Sequence, residues 1–600
     1  MRSASSLLLS VTLVGCATPW ATLAVDLRTD LRPGADVVTV RTSVVQGADT
    51  HRRTVAALVG QDFLRGVRVA ELSHLTPGPT RVSVELVGPE GALVAQRSIL
   101  VTLDVGATAA TVVAAAGCFD GELCEADCRA DADCGDRESG CAEASCEAGV
   151  CLSRGDDAAC GEGGRCDPTR GCRIETPSSL DHVETTFVCE LINGDDRDDE
   201  SLNRTHTRFN LAATDRGAPA IVGDALHLFF GDSRGWRAIW GVGEDPDSVG
   251  RVPLAEVSQD LRALCAELEL YVTDDVPSVA ADRHPDVLRD FEGAYLHAPE
   301  GESIRDYVDR RVPFFETATS SFAGTAEVPS GALGDAEGAY VFWAARSGTG
   351  AVGAMRRSFV ARWDGGPRLS QRILYALDDV AWERPLGGHF IHVAPVAHGG
   401  YVYLFGAGET RSLATPPGGI PRDGVHLARV AADRLEAAGG VELWSADEDR
   451  WIASEELRLP SRVGLPATLE RDARGVYELG AQYVESVGLF VVSYHQLPAG
   501  APSRVRLAVA ARPEGPWVTA DVLASGSAAF RARHCCEGAR CPGEQILRCD
   551  RGDLYGAYAL PLIEAEWTPA GVVLDVPFVV STLEPRNVAL FRARVVVRGS

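Results

Sequence analysis

Two carboxylates, Asp215 and Glu478, precede apolar strand segments. Of the residues in this chain, they are the clearest candidates for acid–base chemistry. Asp215 comes before the segment Asp224–Gly231, and Glu478 comes before a strand that contains Phe490 to Ser493. Hydrolysis of a glycosidic bond uses two carboxyl groups, a base that activates water and an acid that stays protonated near neutral pH. In inverting enzymes these groups lie roughly 6.5–9.5 Å apart, which leaves room for the water. If the fold brings both positions together, the two carboxyl groups could serve as an acid–base pair of this kind.

Four more residues could line the same cavity, namely Asp232, Arg411, His389 and His392. Asp232 and Arg411 would form a polar funnel, and the two histidines would ligate a cation or lie beside a sugar. The alternatives are a strand-end turn at Asp232 and core or turn positions for the histidines. This chemistry requires no cofactor. Calcium is the ion that the acidic stretches could hold, but solvated loops are the favoured interpretation of these stretches.

A repeated strand segment indicates which elements must position these residues. A polar or Gly/Pro-marked turn is followed by an apolar-aromatic strand that ends in Gly, Ser or Ala. The four copies are Asp224–Gly231, Gly338–Ala344, Gly400–Gly406 and Val487–Ser493. Repetition of one sheet unit predicts a propeller, in which loops from every blade meet at one end of a central channel. Helical periodicity is strong only in Pro253 to Leu270, which we interpret as an insertion between strands.

Several ordered motifs of the C-terminal region resemble the domain-of-unknown-function family 4185. They are Thr214–Pro219, Leu226–Ser233, Val328–Gly331, Tyr340–Phe342, Phe405-Gly406 with Arg411, His426–Arg429, Tyr477–Gly480, Phe490–Tyr494, Arg506–Ala510, Gly515–Trp517 and Tyr555–Ala557. The resemblance spans about residues 185–600. It implies a five-bladed β-propeller that is distantly similar to glycoside hydrolase family 43, and it implies no established activity.

That distant similarity implies specific roles for the two carboxylates. Asp215 stands where those hydrolases carry the base, and Glu478 stands where they carry the acid. A third carboxylate that would orient the acid is missing, because the matching stretch Gly388–Pro395 offers only histidines. Arg216 follows Asp215 directly, and an adjacent Arg favours the charged carboxylate. The structural alternative is that Asp215 caps a turn and Glu478 pairs with an Arg.

The first residues of the chain predict its cellular localisation. Arg2, an apolar run from Leu7 to Leu13, and Leu13–Cys16 resemble a bacterial lipoprotein signal, with residues 1–15 cleaved and Cys16 lipidated. An ordinary cleaved signal peptide with an incidental Cys is the alternative. We therefore expect an exported, lipid-anchored protein at the outer membrane or cell surface. Period-two alternation in the next segment, 16–116, predicts a β-sandwich.

Residues 117–175 form a Cys-rich segment that is too poor in aliphatic residues to bury a core. Its cysteines are Cys118, Cys124, Cys128, Cys134, Cys141, Cys146, Cys151, Cys160, Cys166 and Cys172. In an exported chain they predict five disulfides and a stiff stalk, with the pairing left open. A linker, 176–182, then leads to the propeller domain, 183–600. Six further cysteines, predicted to form disulfides, are Cys189, Cys265, Cys535, Cys536, Cys541 and Cys549.

The charge narrows the choice of partner. The net charge is −27 and the chain contains no Lys, so nucleic acid and anionic lipid surfaces would be repelled. We expect a mostly β, monomeric protein with a β-sandwich, a disulfide-rich stalk and a propeller. The expected function is binding of an extracellular glycan or related polymer. The alternatives are glycoside hydrolysis by Asp215 and Glu478, and a protein–protein scaffold.

Overall fold

The computed structural model consists of two compact units, which are described separately. The first comprises residues 1–160 and 165–173, and the second comprises residues 161–164 and 174–600. The residues that the structure describes are 20–47, 49–89, 91–115, 128, 130–137, 140–147, 150–167, 171–192, 205, 211–235, 248–270, 287–289, 295–297, 327–346, 355–365, 371–377, 390–408, 424–437, 440–446, 448–453, 473–498, 503–536, 554–583 and 586–600.

The first unit contains a β-sandwich followed by short strands and turns. Its strands are β1 Ala21–Arg28, β2 Thr39–Gln46, β3 Asp49–Ala56, β4 Val67–Leu75, β5 Gly78–Val87, β6 Leu93–Leu103, β7 Gly106–Val113, β8 Ala142–Glu147, β9 Val150–Gly155, β10 Gly164–Asp167 and β11 Gly171–Ile174. One sheet has the order β4-β1-β7 and the other β3-β2-β5-β6. Alternating apolar side chains such as Leu23, Val25, Val82 and Val84 are fully buried between them, as the period-two pattern predicts.

Disulfides hold the Cys-rich segment of this unit. The pairs are Cys128–Cys146, Cys134–Cys151, Cys141–Cys166 and Cys160–Cys172. The segment has two 3₁₀ turns, Asp131–Arg137 and Asp157–Ala159. Cys118 and Cys124 lie outside the described residues, as do Cys16, Cys541 and Cys549. Cross-links replace the hydrophobic core that this composition cannot supply.

The second unit is built from strands with few helices. Its strands are β12 Pro177–Ile192, β13 Leu211–Val222, β14 Ala225–Gly235, β15 Ser248–Pro253, β16 Glu269–Leu270, β17 Val287–Arg289, β18 Tyr295–His297, β19 Glu327–Gly334, β20 Ala339–Arg346, β21 Met355–Trp363, β22 Arg372–Ala376, β23 His392–His398, β24 Tyr401–Ala407, β25 Val425–Ala431, β26 Glu442–Ser445, β27 Arg450–Ala453, β28 Ala473–Val484, β29 Leu489–Pro498, β30 Arg504–Ala510, β31 Val518–Ala524, β32 Leu554–Ala559, β33 Glu564–Thr568, β34 Gly571–Thr582 and β35 Val588–Gly599. Its helices are α1 Leu254–Val257, α2 Ala263–Ala266 and α3 Ala528–His534, with a 3₁₀ turn at Ala432–Ala437.

Five antiparallel sheets of this unit are the blades of a propeller. In chain order of their innermost strands they are β13-β14-β15-β16, β19-β20-β21-β22, β23-β24-β25-β26-β27, β28-β29-β30-β31 and β32-β34-β35-β12. The last blade combines the first and last strands of the unit, because β12 pairs with β35. The repeated segments are the second strands of blades 1 to 4. The predicted mostly β fold class with a five-bladed propeller is confirmed.

Serine hydroxyls join neighbouring blades at the centre of the ring. Ser330 accepts the backbone N–H of Val393, which links blade 2 to blade 3. Ser493 accepts the N–H of Ala559 at 2.7 Å, which links blade 4 to blade 5. Ser581 accepts the N–H of Arg216 at 2.7 Å, which links blade 5 back to blade 1. Each of these bonds gives a buried backbone amide of an inner strand an acceptor on the neighbouring blade.

The five innermost strands approach so closely that the axis is filled halfway along. A void of only about 10 Å³ remains there. It is lined by one or more residues of every innermost strand, including Pro219, Gly331, Ala394, Gly480 and Tyr558. Small side chains allow this approach: a Cβ on Gly331 would lie 2.1 Å from the carbonyl oxygen of Val393. The described part of the axis is therefore packed rather than open, and any ligand must enter from an end.

The predicted helix from Pro253 to Leu270 is wrong as one continuous element. The structure has two single-turn helices, α1 and α2. Ser258 donates its hydroxyl to the carbonyl of Leu254, and Asp260 accepts the N–H of Arg262, so local side-chain bonds replace the helical ladder. The predicted apolar positions still face inward, since Val257, Leu264 and Leu268 are buried.

The disulfide Cys189–Cys265 ties α2 to β12. Cys535 and Cys536, at the end of α3, are disulfide-bonded as well. Within the described residues no helix is long and apolar enough to span a membrane.

Candidate functional site

Irregular pairing of two innermost strands positions the predicted acid–base pair. In β28, Val476 pairs with Gln496 and Leu479 pairs with Tyr494, so Tyr477 and Glu478 together oppose the single residue His495. In β13 the register shifts between Arg216 and Ala218. Bulges of this kind re-aim side chains and are common beside functional sites. Both carboxylates lie within their strands, not in front of them, on the side of the axial void where the inner strands begin.

Arg216 has a backbone conformation that few non-glycine residues adopt. Its φ is 68°, and that of the following Gly217 is 114°. A left-handed conformation costs a residue with a Cβ roughly 1–2 kcal/mol. Ser581 compensates by accepting the Arg216 N–H, and Gly556, with φ 61°, lets the backbone of β32 pass close to the Arg216 Cα. The surrounding strands thus hold Arg216 in a fixed orientation.

The guanidinium of Arg216 reaches both carboxylates. Its Nε lies 3.8 Å from Asp215 Oδ1, and its Nη2 lies 3.5 Å from Glu478 Oε1. All three side chains are at most 7% exposed. Because one planar guanidinium contacts both groups, the two carboxylate oxygens are no more than about 10 Å apart. The fold therefore brings Asp215 and Glu478 near each other, and Arg216 lies within ion-pair distance of both.

Two tyrosines of blade 5 complete the cluster around Asp215 and Arg216. Tyr555 donates its hydroxyl to Asp215 Oδ2 at 2.7 Å. Arg216 Nη1 donates to the Tyr558 hydroxyl at 3.5 Å. Burial, and then the charge of Asp215, raise the pKa of Tyr555 well above its usual value. Burial also raises the pKa of Tyr558. Both phenols consequently stay neutral, so Tyr555 remains a hydrogen-bond donor to Asp215.

His495 is the neighbour of Glu478 on the same blade. Its Nδ1 lies 3.5 Å from Glu478 Oε2, and the ring is 1% exposed. It packs beside the ring of Tyr477 at 5.9 Å. His495 thus lies on one side of Glu478, and Arg216 lies on the other.

For the other four predicted site residues, the structure describes only His392 and the backbone of Asp232. His392 is the first residue of β23 and is buried at 1% exposure. The backbone of Asp232 lies in β14, next to Gly231, which pairs with Asp215. Arg411 and His389 lie outside the described residues. Of the six predicted site residues, only Asp215 and Glu478 are therefore placed in the cluster by the described contacts.

Sequence reasoning missed three members of the cluster. Tyr555 and Tyr558 come from a strand that lies more than 300 residues from Asp215. His495 follows an apolar strand without any distinguishing motif. Tyr555 and Tyr558 are three residues apart, so period-two alternation would place them on opposite faces, and the register shift between them brings both to the cluster.

The fold and the site define a class: a five-bladed β-propeller whose inner strands carry a buried carboxylate–arginine–carboxylate cluster. Residues 362–592 match the family described as "Domain of unknown function (DUF4185)", which confirms the resemblance of the C-terminal region to that family. Glu478 lies inside the matched residues, and Asp215 lies outside them. No curated protein matches the chain.

Solved structures that are similar to this chain include three glycoside hydrolases. A thermostable family-43 glycoside hydrolase is 13% identical, with 64% of this chain and 94% of that chain covered and a TM-score of 0.28. The α-L-arabinofuranosidase PaAbf62A from Podospora anserina, in complex with cellotriose, is 10% identical over 70% and 98% of the two chains, with a TM-score of 0.31. A GH43_1 enzyme from Xanthomonas citri, complexed with xylotriose, is 13% identical over 64% and 87%, with a TM-score of 0.27.

Proposed function

We propose that the propeller binds an extracellular glycan at the Asp215–Glu478 end of its axis without cleaving it. The observation that carries this choice is the position of Arg216. A hydrolase needs space between its two carboxyl groups for the reacting sugar and water, and here one guanidinium contacts both groups.

Glycan recognition fits the groups that the cluster presents. Carboxylate oxygens accept hydroxyl protons, whereas the guanidinium and the neutral phenol of Tyr555 donate. A sugar hydroxyl both donates and accepts hydrogen bonds, so it can bond to the acceptors and the donors of this cluster. Two of the similar proteins were crystallised with cellotriose and xylotriose, which gives a class of ligand with which to begin.

Glycoside hydrolysis is the second candidate, and one distance favours it. The two carboxylates lie within about 10 Å of each other, which overlaps the separation of roughly 6.5–9.5 Å expected for an inverting pair. For this chemistry, Arg216 would have to leave the gap when the sugar enters. Asp215 would then activate water, and Glu478 would protonate the leaving oxygen.

One experiment separates the candidates. The full chain is run through gels that contain xylan, β-1,4-glucan, mannan or α-1,4-glucan, and the same polymers are assayed for new reducing ends. We expect retention by at least one polymer and no new reducing ends. Asp215→Asn and Glu478→Gln should each weaken retention at least tenfold, because each removes a charged acceptor. The control is Asp224→Asn, which changes a carboxylate whose side chain is 96% exposed.

Turnover by the wild type that disappears in both variants would replace binding by hydrolysis as the function. A chain that no polymer retains would point instead to a protein scaffold.

We also propose that the mature chain is exported and lipid-anchored through Cys16, as a monomer at the outer membrane or cell surface. The support is the order of Arg2, the apolar run and Leu13–Cys16. We expect Cys16→Ser to abolish incorporation of radiolabelled palmitate in the bacterial host, while Ala17→Ser leaves it intact. Labelling that persists in the Cys16→Ser variant would refute lipidation at this residue.

A further inference from the structure

A second cavity lies on the outer part of blade 5, away from the carboxylate cluster. It measures about 570 Å³, within the range of roughly 300–1,000 Å³ that is typical of small-molecule sites. Its floor is formed by β12, β34 and β35, and its wall is the turn between α1 and α2. None of its lining residues belongs to the Asp215–Glu478 cluster.

The helical wall belongs to blade 1, because α1 and α2 connect β15 to β16. The disulfide Cys189–Cys265 fixes this helical wall to β12, directly beside Val188 of the floor. The cavity is therefore held open in advance, and a ligand would not have to order its walls on binding.

An internally paired set of charges lies on the floor. Arg592 donates to Asp575 through two nitrogens, at 2.9 and 2.6 Å, and its Nη2 lies 3.7 Å from Glu564. Burial is only partial, and the hydrogen bonds from Arg592 to Asp575 raise the pKa of the guanidinium. Arg592, Asp575 and Glu564 together carry a net charge of −1, and Asp260 and Arg262 of the wall add one charge of each sign, so the cavity disfavours an anionic ligand. Their spare lone pairs and N–H groups still accept and donate.

Apolar and uncharged polar groups also line the cavity. Leu261, Leu562 and Ile563 border it together with part of Phe187, and Ser258 and Gln259 lie on its wall. Alternating hydroxyls and C–H faces are the chemistry of a neutral saccharide, which can bond to paired Asp and Arg groups while its C–H face packs on apolar side chains. A phosphate would have to break the Arg592–Asp575 pair.

We infer that this groove, lined by Thr186, Leu261, Leu562, Asp575 and Arg592, is a second binding site for a neutral saccharide. Because it presupposes that the chain binds glycans, it rests on the proposed function. Two sites on one propeller would let a single polymer engage both, and this raises apparent affinity without any new contact.

Stoichiometry is the direct test. Isothermal titration of the full chain uses a tetrasaccharide of whichever neutral polymer retains the protein. We expect two sites per chain in the wild type. Thr186→Trp, which fills the groove from an exposed strand position, should leave one site. Asp575→Asn should weaken the same site at least tenfold. Asp215→Asn should instead affect the other site.

Matched controls separate the groove from its surroundings. Val183→Trp places the same bulk on β12 outside the groove, at a position that is 56% exposed. Asp521→Asn removes a carboxylate that is paired with two arginines on blade 4. Both should keep two sites, and circular dichroism should show all variants folded. One site in the wild type, or two sites in Thr186→Trp and in Asp575→Asn with unchanged affinity, would overturn the second site alone. A wild type that binds no saccharide would overturn both sites.

Discussion

Replacing Arg216 by Met should lower the free energy of unfolding by about 3–5 kcal/mol, because two buried carboxylates would lose the cation between them. The side chains of Asp215 and Glu478 are at most 5% exposed, so water cannot replace the guanidinium. Methionine has the same Cβ as arginine, so the strain of the left-handed backbone at φ 68° stays the same. Denaturant unfolding followed by tryptophan fluorescence measures the loss.

The control is an exposed ion pair on blade 3. Arg450 lies 2.8 Å from Glu448, and both side chains are substantially exposed. Arg450→Met should cost less than about 1 kcal/mol, as is usual for surface pairs. Adding Asp215→Asn and Glu478→Gln to Arg216→Met should recover part of the loss, because the buried charges are then gone. Equal, small losses in Arg216→Met and Arg450→Met would show that the cluster is hydrated.

Acidification should weaken the propeller through His227, which belongs to the first repeated segment. Its ring packs on Trp363 with 5.1 Å between centroids and is 2% exposed. Burial, and then the charge of Arg251, lower the pKa of His227 from 6.5 to about 4, although Asp224 acts weakly in the opposite direction. The folded state therefore keeps this imidazole neutral at pH values where the unfolded chain would protonate it.

The sign of the effect follows from proton binding. Between pH 6.5 and 4 the unfolded state binds more protons at this residue, so stability falls as the pH falls through that window. The full contribution is about 3 kcal/mol, present above pH 6.5 and lost near pH 4. His227→Phe should remove this part of the pH dependence, whereas His182→Phe, at an exposed position on β12, should not. Parallel stability curves for the wild type and His227→Phe would contradict the assignment.

The propeller could be predicted because its second strands are buried on both faces. Segments such as Gly400–Gly406 and Val487–Ser493 are apolar along their whole length, and the turns at their ends are marked by Gly or Asp. These patterns lie within short stretches of sequence, so they can be recognised without knowing which distant segments pack against them. The helix predicted over Pro253–Leu270 failed for the complementary reason. The apolar positions of this segment were predicted correctly. However, the hydrogen bond that Ser258 donates and the one that Asp260 accepts decided the backbone path.

The candidate site was predictable only in part. Asp215 and Glu478 could be singled out as a pair, and Arg216 could be expected to bind one carboxylate. That Arg216 reaches both carboxylates depends on the left-handed backbone at Arg216 and on the register shift at Glu478. Tyr555 and His495 reach the cluster through the same irregularities. Residue types cannot reveal them, because a one-residue change of register turns a side chain to the opposite face.

The amino-acid sequence by itself determined the β architecture, the disulfide-rich segment and the two acidic side chains near one end of the ring. Strand alternation and cysteine content are properties of short stretches, and these needed no tertiary partners. Tertiary structure alone decided that one guanidinium contacts both acids, and that a groove forms between blade 5 and the turn that connects α1 to α2. Both outcomes arise from how separate blades meet, where a few ångströms between distant segments decide which groups share a space.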